Sequence, residues 1–160
     1  MGKIMEGYLY TFLWAMSPVL ELRAALPLGY LHFGLSLPET IFISVLGNFI
    51  AGAIVLAVLP KIVHLIEKFI PVFHKIIQKI FAYTRHKHSH RMSLMGEIML
   101  ILFVAVPLPG SGAWTGALVS YLFGMKYWKS IALILAGLVI SATIVAILTV
   151  SGNELWKLFL

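Results

Sequence analysis

Cysteine is absent from the 160 residues. Disulfides and thiolate metal centres are therefore excluded. Acidic side chains are scarce, six against twelve lysines and arginines, and charged residues of both signs make up only 11% of the chain. The zinc-protease helix motif, the nucleophile elbow and the phosphate-binding glycine loop are all missing. An enzyme reading thus has little to stand on, and no cofactor is expected. No small-residue cleavage site follows the first apolar run; Pro18 and Glu21 stand there instead. What fills the chain is apolar: 61% hydrophobic residues and a mean hydropathy of +0.98, against roughly 45–50% apolar residues in soluble domains. The expectation is one membrane domain over residues 1–160, all-α and multi-pass in a cell membrane. The formal net charge of +6 comes largely from Lys61 to Arg91. That concentration points to loop topology and anionic lipid headgroups, not to nucleic acid.

The rest of the chain is arranged around Ser17 to Gly29, which holds Glu21 and Arg23 between Pro18 and Pro27. An ionisable residue at bilayer depth costs roughly 2.5–3.5 kcal/mol on insertion scales, so it faces a cavity or a partner. Broken backbone at that depth must be buried in protein or line a water-filled space.

Ile4 to Met16, apolar except for Glu6 and Thr11, is short of the ~30 Å hydrocarbon core and reads as a half-helix. Leu20 to Phe33 reads as a second half-helix, interrupted near Pro27, so the two form a re-entrant hairpin. Gly34 to Pro38 is a turn, and Thr40 to Leu59 a span that Pro60 ends. Lys61 to Tyr83 carries apolar residues at three- and four-residue steps, with His64, Lys68, Lys75 and Lys79 on another face. It reads as an amphipathic interfacial helix, with a third span as the alternative, followed by a basic loop over Thr84 to Ser93.

From Ser93 the opening is replayed. Leu94 to Val106 is a short apolar run, Pro107 to Gly112 a break, Ala113 to Phe123 a half-helix, Gly124 to Tyr127 a turn, and Trp128 to Val150 a span. An offset of 90 places Phe33-Gly34 on Phe123-Gly124 and Gly47 on Gly137. The expected architecture is two inverted repeats, 1–59 and 93–160, joined by the connector 60–92. Hairpins meeting near the midplane are a transporter pattern. The positive-inside rule puts the connector in the cytoplasm and both termini on the opposite side.

Glu21 is the candidate proton carrier: a carboxylate balanced between desolvation and a guanidinium suits proton coupling. The alternative is that Glu21 and Arg23 merely neutralise each other. Arg23 offers a planar fork for an anionic group. Pro27 belongs to the same stretch. In the second break, Pro107 and Pro109 free backbone carbonyls, and Gly110 and Gly112 permit close approach. Ser111 and Thr115 add hydroxyls, and Trp114 adds an aromatic face. The plainer reading is a tight packing turn. Asn48 reads equally as an interhelical bond or a site residue. Gly47, Ala51, Gly137 and Ser141 form small-residue faces suited to close packing or dimerisation. His86, His88 and His90 alternate in the basic loop; solvation is the expected state and metal binding the alternative.

Residues Glu21 to Gly29 and Val106 to Gly116 closely resemble the small multidrug export protein family, itself similar to a distant branch of the DedA superfamily. The resemblance covers nearly the whole chain. It implies two facing re-entrant hairpins, a proton-sensing acid at Glu21 and a proline-glycine turn at Pro109-Gly110. It also implies movement of an amphipathic small molecule or lipid phosphate driven by the proton gradient. DedA proteins carry arginines in the second hairpin; Leu94 to Phe123 contains none, so Arg23 would supply that charge alone. The leading expectation is a secondary transporter or lipid flippase, a homodimer or higher oligomer. The alternative is a structural or assembly protein whose ion pair only holds the fold.

Overall fold

The computed structural model describes residues 2–69, 90–108 and 110–159, with side chains described for 4–66, 68–69, 94–108 and 110–152. The described residues form six helices: α1 (Gly2–Met16), α2 (Glu21–Leu31), α3 (Leu37–Phe69), α4 (His90–Ala105), α5 (Ala113–Leu122) and α6 (Tyr127–Phe159). Two of them, over Leu37–Ile66 and Tyr127–Gly152, are long and apolar enough to cross a membrane.

Local chemistry fixes the joints. The α2–α3 turn has Gly34 at φ 66, and the α5–α6 turn has Gly124 at φ 65, both in the left-handed region that glycine adopts without steric cost. The N–H of Leu35 reaches back to the carbonyl of Gly29, and that of Met125 to the carbonyl of Ser120. Helix α3 is then started by Ser36 and Glu39. The Ser36 N–H and hydroxyl both donate to the Glu39 carboxylate, at 3.1 and 2.5 Å, as in a capping box.

Several expected boundaries are corrected. Pro60 does not end the first span; α3 continues through it to Phe69, so Lys61 to Phe69 extends the spanning helix. Pro27 does not interrupt α2, which runs unbroken to Leu31. A proline forfeits one hydrogen bond, and the neighbouring turns and packed helices hold each helix through it. The basic loop is shorter than expected, since α4 already begins at His90. The remainder of the amphipathic connector, with His86 and His88, lies outside the described residues.

Helices α1 and α3 run side by side in the same direction. Tyr8 donates to Glu39 at 2.7 Å, and farther along both helices Gly47 lies against Ala15 and the carbonyl of Phe12. Helices α4 and α6 repeat this, with Lys129 on Glu97 at 2.5 Å and Gly137 against Val104 and the carbonyl of Ile101. The long helices α3 and α6 are antiparallel: Leu37 shares a cleft with Val150 and Ser151, while the Tyr127 hydroxyl donates to the Ala53 carbonyl.

Packing between the halves recurs as well. Leu22 and Leu26 of α2 bury against Ala142, Val145 and Ala146 of α6. Ala113 and Ala117 of α5 bury in one cluster with Val55 and Leu56 of α3, and Gly52 admits Ala113 so closely that an added Cβ would overlap it. These contacts match at a shift of 90 between the long helices and 89 between α1 and α4. The small residues Gly47, Ala51, Gly137 and Ser141 are consumed by packing inside the chain. A dimer interface through them is therefore corrected: all four are buried within the chain, and Gly47 and Gly137 seat its own short helices.

Candidate functional site

The two helix breaks meet. In the first, the Ser17 N–H still bonds the Leu13 carbonyl, the chain turns through Pro18 to Leu20, and Glu21 re-enters helix with its N–H on the Ser17 carbonyl. Glu21 does so at φ 51, the one non-glycine residue with positive φ among the described residues. A non-glycine side chain in that region is strained, by about 1 kcal/mol or more. In the second break, Val106 is the last residue bonded back into α4, Pro107 has no N–H to give, and Gly110 takes φ 81. Helix α5 starts at Ala113, with Gly112 as an N-cap that has no side chain to cap with.

Glu21 and Arg23 lie across that gap. Glu21 is 3% exposed, and its Oε2 is 3.1 Å from Arg23 Nη1. Arg23 Nη1 also donates to the Leu108 carbonyl, and Nη2 donates to Ser111 Oγ at 2.9 Å. The Ser111 hydroxyl in turn donates to the Val106 carbonyl at 2.6 Å. One guanidinium thus binds its own helix's carboxylate and the loosened backbone of the opposite break. The Glu21 carboxylate also presses on Gly112, so closely that any β-carbon there would overlap it. That places an anion at the uncapped N-terminus of α5, where the helix dipole favours it. Trp114 closes the contact from the other side, its indole N–H on the carbonyl of Met16 at 3.0 Å.

Two atoms of the ion pair stay unmatched. Glu21 Oε1 and Arg23 Nε are buried without a protein partner. Arg23 also lines a groove of about 610 Å³ between α2 and α6, together with Pro27, Leu31, Pro107, Leu148, Thr149 and Gly152 among others. The groove reaches Arg23, and Glu21 lies beyond it, against the second break.

The candidate residues from the sequence divide accordingly. Glu21, Arg23, Ser111, Gly112 and Trp114 are brought together, Gly110 shapes the second break, and Pro27 and Pro107 line the groove. Asn48 is buried in α3, its Oδ1 without a protein partner. Thr115 is half-buried on α5, and nothing in the structure ties it to Glu21 or Arg23. Pro109 lies outside the described residues. The described residues assemble no group of three or more His, Cys, Asp or Glu. Sequence reasoning missed the carbonyls of Met16, Val106 and Leu108, because backbone acceptors leave no mark in side-chain identity. It also did not single out Thr11 and Ser44, whose one signal was a small hydroxyl among apolar residues.

The chain matches the family described as "Putative small multi-drug export protein" over residues 21–144. The matched stretch opens on Glu21 and contains Arg23 and the whole second break. No curated protein and no solved structure matches the chain. Because the match covers well over half of its length, the chain belongs to the small multi-drug export family, a membership consistent with a transport role.

Proposed function

We propose that the chain is a secondary transporter built as one membrane domain from two inverted repeats, α1–α3 and α4–α6. In this reading α1–α2 and α4–α5 are re-entrant hairpins that enter from opposite faces. The depth of the breaks supports it. Ala15, just before the first break, lies beside Gly47, ten residues along α3 from Leu37. At 1.5 Å per residue that is about 15 Å, half of a ~30 Å hydrocarbon core. The antiparallel course of α3 and α6 supports the inversion. The connector between α3 and α4 would then face the cytoplasm and both termini the other side. A homodimer or higher oligomer would use surfaces other than the small-residue faces.

Glu21 carries the coupling proton, and Arg23 receives an anionic group of an amphipathic small molecule or lipid phosphate at the inner end of the groove. One observation carries this reading: Arg23 pairs with the buried Glu21, bonds the backbone and Ser111 of the opposite break, and also lines an open groove. The competing structural reading draws on the same bonds, because Arg23 Nη1 already binds Glu21 and the Leu108 carbonyl and Nη2 already binds Ser111.

Transport by Glu21→Gln, Arg23→Lys and the double replacement Glu21→Gln/Arg23→Met, in liposomes with a pH gradient, separates the two. Glutamine imitates the protonated acid, so Glu21→Gln should fold and lose its dependence on the gradient. Arg23→Lys should lose substrate affinity more than stability, having lost the fork. The double replacement should fold and fail to transport. If the pair is only structural, each charge left alone costs about 3–5 kcal/mol, and the double replacement restores both stability and activity.

A further inference from the structure

Four buried oxygens among the described residues lack a protein partner: Thr11 Oγ1, Ser44 Oγ, Asn48 Oδ1 and Glu21 Oε1. Their residues lie between the α1–α3 face, where Tyr8 meets Glu39, and the first break. Thr11 faces Thr40 across Gly29, since a Cβ on that glycine would meet both side chains. Thr40, Ser44 and Asn48 follow at four-residue steps along α3, which puts them on one side of the helix, and all are at most 1% exposed. Asn48 comes directly after Gly47, which touches Ala15, and one turn before Gly52, which touches Ala113. Ala113 adjoins Gly112, which the Glu21 carboxylate contacts.

The second half shows that this packing does not need the three unmatched groups of α1 and α3; it keeps Ser130 at the place of Thr40, each bonded back to its own helix. At the shifts that match the contacts, Thr11 corresponds to Leu100, Ser44 to Ile134 and Asn48 to Leu138. Those three are fully buried and belong to one apolar cluster. The same framework is thus closed with aliphatic side chains on one side and carries unmatched acceptors on the other. A buried acceptor without a partner costs about 1–3 kcal/mol, and native structures match such groups with water or reserve them for function.

We infer that Thr11, Ser44 and Asn48 form a hydrated proton path to Glu21 from the face that carries Tyr8 and Glu39, while Leu100, Ile134 and Leu138 seal the equivalent route from the opposite face. The inference rests on Glu21 being the proton carrier. The path enters beside Tyr8 and Glu39, its titratable groups, and ends on Glu21, whose charged neighbour is Arg23. The other residues that meet the carboxylate or its supports, Met16, Ser111, Gly112 and Ala113, do not titrate. Protons then reach the centre from one side without passing through the substrate groove.

The test gives the first half the residues of the second: Thr11→Leu, Ser44→Ile and Asn48→Leu, combined in the full chain in liposomes. The readout is the infrared carboxyl band of Glu21, identified by its loss in Glu21→Gln, followed in time after a pH step on the Tyr8–Glu39 face. The expected result is a folded protein in which the band still titrates at equilibrium but responds about tenfold more slowly or worse, since the bonded route is gone. An unchanged rate overturns the path and leaves Glu21 as the carrier. A parent protein with no titrating Glu21 band overturns the carrier and the path together. If the triple variant does not fold, Thr11→Val and Ser44→Ala are read in the same way, and unchanged rates in both overturn the path.

Discussion

The carboxylate of Glu21 occupies the space that a side chain on Gly112 would need. Two residues from opposite halves of the chain are fitted to one another at atomic contact, and the fit fixes how close the two breaks can come. Gly112 has φ −90 and ψ −157, a backbone that alanine accepts, so Gly112→Ala tests the fit by its methyl group alone. It should lower the melting temperature and abolish transport. Shortening the acid in the double variant Glu21→Ala/Gly112→Ala should recover stability beyond the sum of the single effects, with a coupling of about 0.5–3 kcal/mol. Additive effects would mean that the contact is loose in the membrane.

Trp114→Phe keeps a ring and deletes the N–H that meets the Met16 carbonyl. The carbonyl left behind is at the end of α1, and an unmatched buried acceptor costs about 1–3 kcal/mol. Thermal unfolding in detergent should show the loss. Trp114→Ala should cost more, because packing goes with the bond. Equal stability of Trp114→Phe and the parent would mean that the indole bond does not hold the breaks together.

His32 and Lys126 are exposed at the α2–α3 and α5–α6 turns. In the inverted reading those turns lie on opposite sides of the membrane. The chain has no cysteine, so His32→Cys and Lys126→Cys each introduce a single thiol. Impermeant reagents should label them from opposite sides of oriented vesicles. Labelling from one side would exclude inversion.

Gly47→Ala and Gly137→Ala should both destabilise the monomer. The new methyl on Gly47 would lie 2.6 Å from the Phe12 carbonyl, which is backbone and cannot step aside, whereas that on Gly137 first meets the Val104 side chain at 2.7 Å. Gly47→Ala should therefore be the more damaging. Native gels and melting curves distinguish this from a dimer interface, where oligomer size would fall while the subunit's stability held.

Much of this arrangement was legible in the chain. Glu21 and Arg23 announced themselves as charges among apolar residues, and the paired Phe-Gly turns exposed the internal correspondence. Proline was the weaker guide. Pro18 and Pro107 do mark breaks, but Pro27 and Pro60 sit inside continuous helices, because neighbouring helices can hold a turn that has lost one bond. The small residues at Gly47 and Gly137 signalled close approach correctly, though they could not say to what. Least visible was the bond partner of Arg23: the carbonyl of Leu108 lies 85 positions away, and any residue there would present one.

In the proposed reading, the left-handed backbone at Glu21 sets stability against activity. Glycine is the residue that would relax that conformation, and glycine cannot carry a proton. Glu21→Gly with Arg23→Met would remove the strain together with the buried charges. Selection for thermal stability alone would therefore favour this silent pair. With Glu21 as the proton carrier, a library sorted first on expression would enrich the chains that no longer work, so function has to be scored before robustness.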